Sequence, residues 1–221
     1  MSKTKKKYEN PIMNEVKPKN EHQEKYIAAI KTFQLIFATG PAGTGKTWLA
    51  TAMAAKALYE KRIEKIIVTR PSIEAGGTLG HLPGTIDEKF EPYLIPYIET
   101  FEERLGRSHT EYLLKTKSIE ASPLGYMRGR TFKNCWVLLD EAQNTKPSQM
   151  KMFLTRIGEN CKMIINGDLF QSDIQGISGL EDAVEKLYHI PSVKVINFQK
   201  QDVVRSSLVQ EIVEAYNEPD R

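Results

Sequence analysis

Short apolar runs recur along this chain, and longer stretches with helical spacing separate them. The runs are Leu35–Ala38, Ile66–Thr69, a weaker Ser118–Ala121, Trp136–Leu139, Met163–Asn166 and Val193–Asn197. They are continuous rather than alternating, and rich in Val and Ile. Strands buried on both faces carry that pattern, because neither face meets water. The helices expected between and around them are Glu21–Lys31, Lys46–Glu60, Ile86–Arg104, Pro147–Ile157, Gly179–Leu187 and Ser206–Tyr216. Strands alternating with helices predict βαβ units: an α/β fold with a mostly parallel sheet and helices on both faces. Pro96 lacks an N–H and crowds the turn before it, so a break or kink is expected in Ile86–Arg104. Ligands of such sheets sit beyond the carboxyl ends of the strands. The most chemically loaded motifs of this chain lie there.

Directly behind the first strand stands Gly40-Pro41-Ala42-Gly43-Thr44-Gly45-Lys46-Thr47, a complete G-x-x-x-x-G-K-T phosphate loop. Its glycines let the backbone wrap a phosphate and turn N–H groups inward. The helix that follows adds its positive end. Lys46 is placed to reach the β- and γ-phosphates, and Thr47 to hold Mg²⁺. Strand, loop and helix in that order make this a nucleoside-triphosphate site, with ATP and Mg²⁺ as the expected cofactors.

Cys135-Trp-Val-Leu-Leu-Asp140-Glu141 is a hydrophobic strand ending in two carboxylates. Beside a phosphate loop, Asp140 suits Mg²⁺ and Glu141 suits the polarising of an attacking water. Hydrolysis needs both jobs, and neighbouring carboxylates in different surroundings divide them. After the next strand, Asp168 and Gln171 lie in a polar turn from which the γ-phosphate could be sensed. Gln23, on the helix leading into the first strand, carries the paired donor and acceptor that read an adenine edge. Arg70, Tyr126, Arg128 and Arg130 sit beside Gly, Pro or aromatic residues near strand ends, which suits RNA or single-stranded DNA. Arg128, Arg130, Arg156 and Arg205 are candidates for an arginine finger acting on a neighbour's nucleotide.

Composition narrows the setting. At 221 residues, 40% hydrophobic and 27% charged, the chain has the make-up of a globular protein. It holds no apolar run long enough to span a membrane. The net charge of +3 is unevenly spread. Residues 1–19 carry six Lys against Glu9 and Glu15, which marks a basic, disordered leader ahead of one domain over 20–221. Cys135 and Cys161 each open a predicted strand, where a free thiol packs as a small hydrophobe. With no Cys/His cluster of zinc spacing, a reducing, cytoplasmic compartment is expected.

These residues together resemble the PhoH family, over roughly residues 20–217. The resemblance rests on Ala38–Thr47, Thr69–Gly76, Leu79–Gly84, Pro123–Thr131, Asp140–Asn144, Gln149–Arg156 and Asp202–Arg205. It implies a RecA-like ATPase core, cytoplasmic location and a link to phosphate-starvation genes. It also implies kinship with superfamily 1 helicases, whose first ATPase lobe carries a similar Asp-Glu-Ala-Gln and Gly-Asp-x-x-Gln. The family resembles ring-forming ATPases, with hexamers expected, and many members are carried by phages. A lone lobe completes its site only with a neighbour's help, so a homo-oligomer follows. The leading expectation is an ATP-hydrolysing motor or switch on RNA or single-stranded DNA. A small-molecule kinase and a nucleotide-gated binding module are the alternatives.

Overall fold

The computed structural model describes residue 11, residues 14–71 and residues 86–204, the last without the side chains of 86–93. Six strands form one parallel sheet: β1 (Leu35–Thr39), β2 (Lys65–Thr69), β3 (Ile119–Ala121), β4 (Cys135–Leu139), β5 (Cys161–Gly167) and β6 (Val193–Asn197). Their order across the sheet is β3-β2-β4-β5-β1-β6. Six helices accompany them: α1 (Glu21–Thr32), α2 (Lys46–Tyr59), α3 (Ile86–Leu105), α4 (Arg107–Lys115), α5 (Pro147–Leu154) and α6 (Gly179–Leu187). A P-loop strand–loop–helix in a parallel sheet of this order is the RecA-like architecture expected. The helix expected at Ser206–Tyr216 and most of the basic leader lie outside the described residues.

Period-two geometry sorts each strand's side chains onto two faces. Ile36 and Ala38 of β1 join Ile66, Val68, Trp136, Leu138 and Ile164 in a core with α1, α2, α3 and α4. Leu35 and Phe37 join Ile67, Val137, Leu139, Met163 and Ile165 in a second core with α5 and α6. Both faces are covered, which is why the strands read as unbroken apolar runs. Alanines 50, 52, 54, 55 and 57 let α2 lie close against the sheet, buried on nearly every side.

One expectation needed correction, and one element was unforeseen. Pro96 does not end or divide its helix: α3 runs unbroken from Ile86 to Leu105. Leu94, Tyr97, Phe101 and Leu105 line one buried face at helical spacing. Burying four such side chains contributes about 6–12 kcal/mol at roughly 1.5–3 each, against about 3 for a mid-helix proline. The helix α4 was not anticipated. Its sequence is polar, only Thr110 and Leu113 are buried, and its apolar period is too thin to read.

Nucleotide-binding folds of this class place ligands where strand order reverses. From β1 the chain leaves to β2, across β5 and β4, and later returns to β6 on the other side. The loop after β1 therefore opens onto the loops after β4 and β5. Among the described residues, no helix is long and apolar enough to cross a membrane.

Candidate functional site

Gly40 to Thr47 link β1 to α2 and form the floor of a cleft of about 390 Å³. Two glycines take left-handed backbone conformations, and at the first, contact with backbone also requires glycine. Gly40 has φ of +127°, and a Cβ there would lie 2.3 Å from the carbonyl oxygen of Phe198. Gly45 has φ of +86°, and a Cβ there would lie 2.9 Å from Gln23 Nε2. Gly45 starts α2 with no side-chain cap. The first N–H groups of the helix thus keep their donor capacity for an anion.

Lys46 is buried and folded back on its own loop. Its Nζ donates to Gly40 O at 2.7 Å, Pro41 O at 2.8 Å and Thr44 Oγ1 at 3.2 Å. Burial pushes its pKa down, while Asp140, Asp168 and Glu141 pull it back up. A phosphate would supply the anion that this ammonium lacks at close range.

Asp140 follows β4 and is 7% exposed. Its Oδ2 accepts from Thr47 Oγ1 at 3.0 Å and from Arg70 Nη2 at 2.9 Å, and its Oδ1 accepts from Glu141 N at 3.2 Å. A hydroxyl and a carboxylate at this spacing are hard oxygen donors that fit Mg²⁺. Glu141 is exposed, with φ of +55°, a left-handed conformation uncommon outside glycine. Its Oε2 accepts from Gln143 Nε2 at 2.7 Å, while Gln143 Oε1 accepts from Asp168 N at 3.0 Å. One buried amide thus ties the loop after β4 to the loop after β5. Asn144 and Asp173 repeat the tie, with Asn144 Nδ2 to Asp173 Oδ2 at 3.1 Å and Asp173 N to Asn144 Oδ1 at 2.9 Å.

Lys46, Thr47, Asp140, Glu141, Asp168 and Gln171 all line the one cleft, with Gly40, Ala42, Gly43 and Gly45. Trp48 and, from α3, Pro96, Glu99 and Thr100 complete its wall. Gln23 lies behind the loop, 3% exposed. Its Nε2 donates to Thr44 O at 2.9 Å, and its Oε1 accepts from Lys19 N at 2.9 Å. Both ends of the amide are therefore engaged within the chain. The segment after β6 braces the loop from the other side. Val204 N donates to Gly43 O at 2.9 Å, and buried Asp202 pairs with His22 at 2.9 Å.

The arginines separate. Arg70 lines the cleft and holds Asp140. Arg130 pairs with Glu120 at 2.8 Å and lies over the Phe132 ring at 5.2 Å. Arg156 donates to the carbonyl oxygens of Met152 and Arg130. Arg128 and Tyr126 are exposed around the turn Leu124–Met127, Tyr126 by 61%. Arg205 lies outside the described residues. Sequence reading missed the bridge made by Gln143, although Asp-Glu-Ala-Gln put it two residues from Glu141. It also missed that Arg70 belongs to the cleft, since sheet order alone sets β2 beside β4.

A model of the family described as PhoH-like protein matches residues 15–217. The PhoH-like protein of Bacillus subtilis is 50% identical over 204 residues, covering 91% of this chain and 64% of its own length. Protein PhoH of Escherichia coli K12 is 50% identical over 203 residues, covering 90% of this chain and 57% of its own. The chain thus spans less than two thirds of these relatives. The Pif1 helicase from Candida albicans aligns with a TM-score of 0.42 and 15% identity, over 90% of this chain and 43% of that one. That likeness is too loose to carry an argument. The family match over nearly the whole chain and the two relatives at half identity agree with the motifs gathered in the cleft: this chain belongs to the PhoH family.

Proposed function

We propose that this chain is a cytoplasmic, Mg²⁺-dependent ATPase that acts on RNA or single-stranded DNA as part of a homo-oligomer, with a hexamer favoured. The observation that carries the reading is the convergence of Lys46, Thr47, Asp140 and Glu141 on one cleft at the carboxyl edge of the sheet. Lys46 turns from the loop carbonyls onto the β- and γ-phosphates, and the uncapped start of α2 holds them by N–H groups. Thr47 and Asp140 would hold Mg²⁺, which when bound would neutralise charge on the phosphates. Glu141 accepts the proton of the attacking water. Gln171 and Asp168 sense the terminal phosphate, and Gln143 passes their position to Glu141. Gln23 serves the nucleotide by bracing Thr44. Free thiols at Cys135 and Cys161, opposite each other on β4 and β5, suit a reducing compartment.

Exposed Tyr126 and Arg128 supply stacking and charge for a nucleic-acid strand. Among the described finger candidates Arg128 is the best placed, because Arg130 and Arg156 are engaged within their own chain. The test is phosphate release from ATP with and without single-stranded RNA and DNA. Wild type should turn over with Mg²⁺ and respond to a strand, and Lys46→Ala should do neither. Phosphate transfer to a metabolite instead of water would replace this reading by a kinase.

A further inference from the structure

Arg70 follows β2 and lines the nucleotide cleft. Its Nη2 and the Thr47 hydroxyl meet at one atom, Asp140 Oδ2, at 2.9 and 3.0 Å. Those partners are the pair to which the proposed function gives Mg²⁺. A guanidinium and a divalent cation repel each other at such range, and one carboxylate oxygen cannot keep both. Arg70 also stacks on Tyr97, its Cζ 5.9 Å from the ring centroid. Beside that contact, Arg70 Nε and Thr69 Oγ1 are buried with no hydrogen-bond partner among the described residues. Native proteins leave few such atoms unmatched, because each carries a desolvation cost. An unmatched guanidinium N–H beside the cleft marks a side chain held short of its full set of partners.

We propose that Arg70 is a two-position residue: one position is the pairing with Asp140 seen here, the other is on the terminal phosphate of a bound nucleoside triphosphate. This rests on the nucleotide reading above and adds a γ-phosphate subsite to it. Once Asp140 is taken, the nearest anionic acceptor a nucleotide brings is its own phosphate tail. The planar fork of Arg matches phosphate oxygens better than a point charge does. A diphosphate offers no oxygen at the γ position, so the contact favours triphosphate over diphosphate.

The test is calorimetric binding of a non-hydrolysable ATP analogue and of ADP, each with Mg²⁺, to wild type, Arg70→Ala and Arg70→Lys. Arg70→Ala should weaken the triphosphate analogue at least about tenfold, the least expected from losing a hydrogen bond to a charged group, and leave ADP unchanged or tighter. Arg70→Lys, which keeps the charge and loses the fork, should narrow the preference part of the way; it carries the test should the alanine variant not fold. Mn²⁺ binding to the nucleotide-free chain, followed by electron paramagnetic resonance, should tighten in Arg70→Ala because the resident cation has gone. Equal loss for both nucleotides, or an unchanged preference, would overturn the subsite. Wild type binding neither nucleotide would instead overturn the site reading, and this inference with it.

Discussion

Glu141 combines three properties that rarely meet in one glutamate: exposure, a left-handed backbone and a buried amide holding its carboxylate. A left-handed residue with a side chain persists only where its surroundings enforce it, and such residues gather at working sites. Glu141→Gln should bind ATP like wild type and lose about 10²–10⁴-fold in turnover, the usual share of a general base. Binding by calorimetry and phosphate release together check it; normal turnover would remove Glu141 from the role. Lys46, Thr47, Asp140 and Glu141 were legible in sequence because each stands in a short local pattern. Arg70, Gln143 and Gln23 were not legible in the same way. Their partners lie at Asp140, Asp168 and Thr44, and only strand order and helix packing bring those together.

Among the elements, every expected strand is present, with ends moved by at most two residues. The reason is double-sided burial, which writes itself into composition as well as period. Polar α4 and proline-bearing α3 were harder, because tertiary contact decided both. Another contact between elements was equally hidden. Lys162 on β5 donates from Nζ to Ile30 O and Phe33 O at the end of α1, and lies over the Trp136 ring. Burial, with Arg62 nearby, pushes its pKa down to about 8 from 10.5. Between those values the unfolded chain binds more protons than the folded one, so stability rises with pH across that window. Below it the lysine is charged in both states, and its burial penalty is constant. The stability difference between wild type and Lys162→Met should therefore shift in favour of wild type from pH 8 to 10.5, as urea midpoints will show.

At the scale of the whole molecule, sheet order does what no single motif can. It sets the strands bearing Gly40, Asp140 and Asp168 within one edge and lets their loops share a cleft. That edge also receives the last described residues. The Phe198 carbonyl sits where a Cβ on Gly40 would be, the Phe198 ring lies 5.9 Å from Lys46 Nζ, and Val204 is bonded to Gly43. Phosphate loop and β6 tail are more than 150 residues apart in sequence, yet one is the other's back wall. A gene cut after Asn197 would keep the whole eight-residue signature and both strand-end carboxylates, and still express a loop braced on the Gln23 side alone. Calorimetry on that shortened chain should find triphosphate affinity lost. A signature match thus understates the length of protein needed to grip one phosphate.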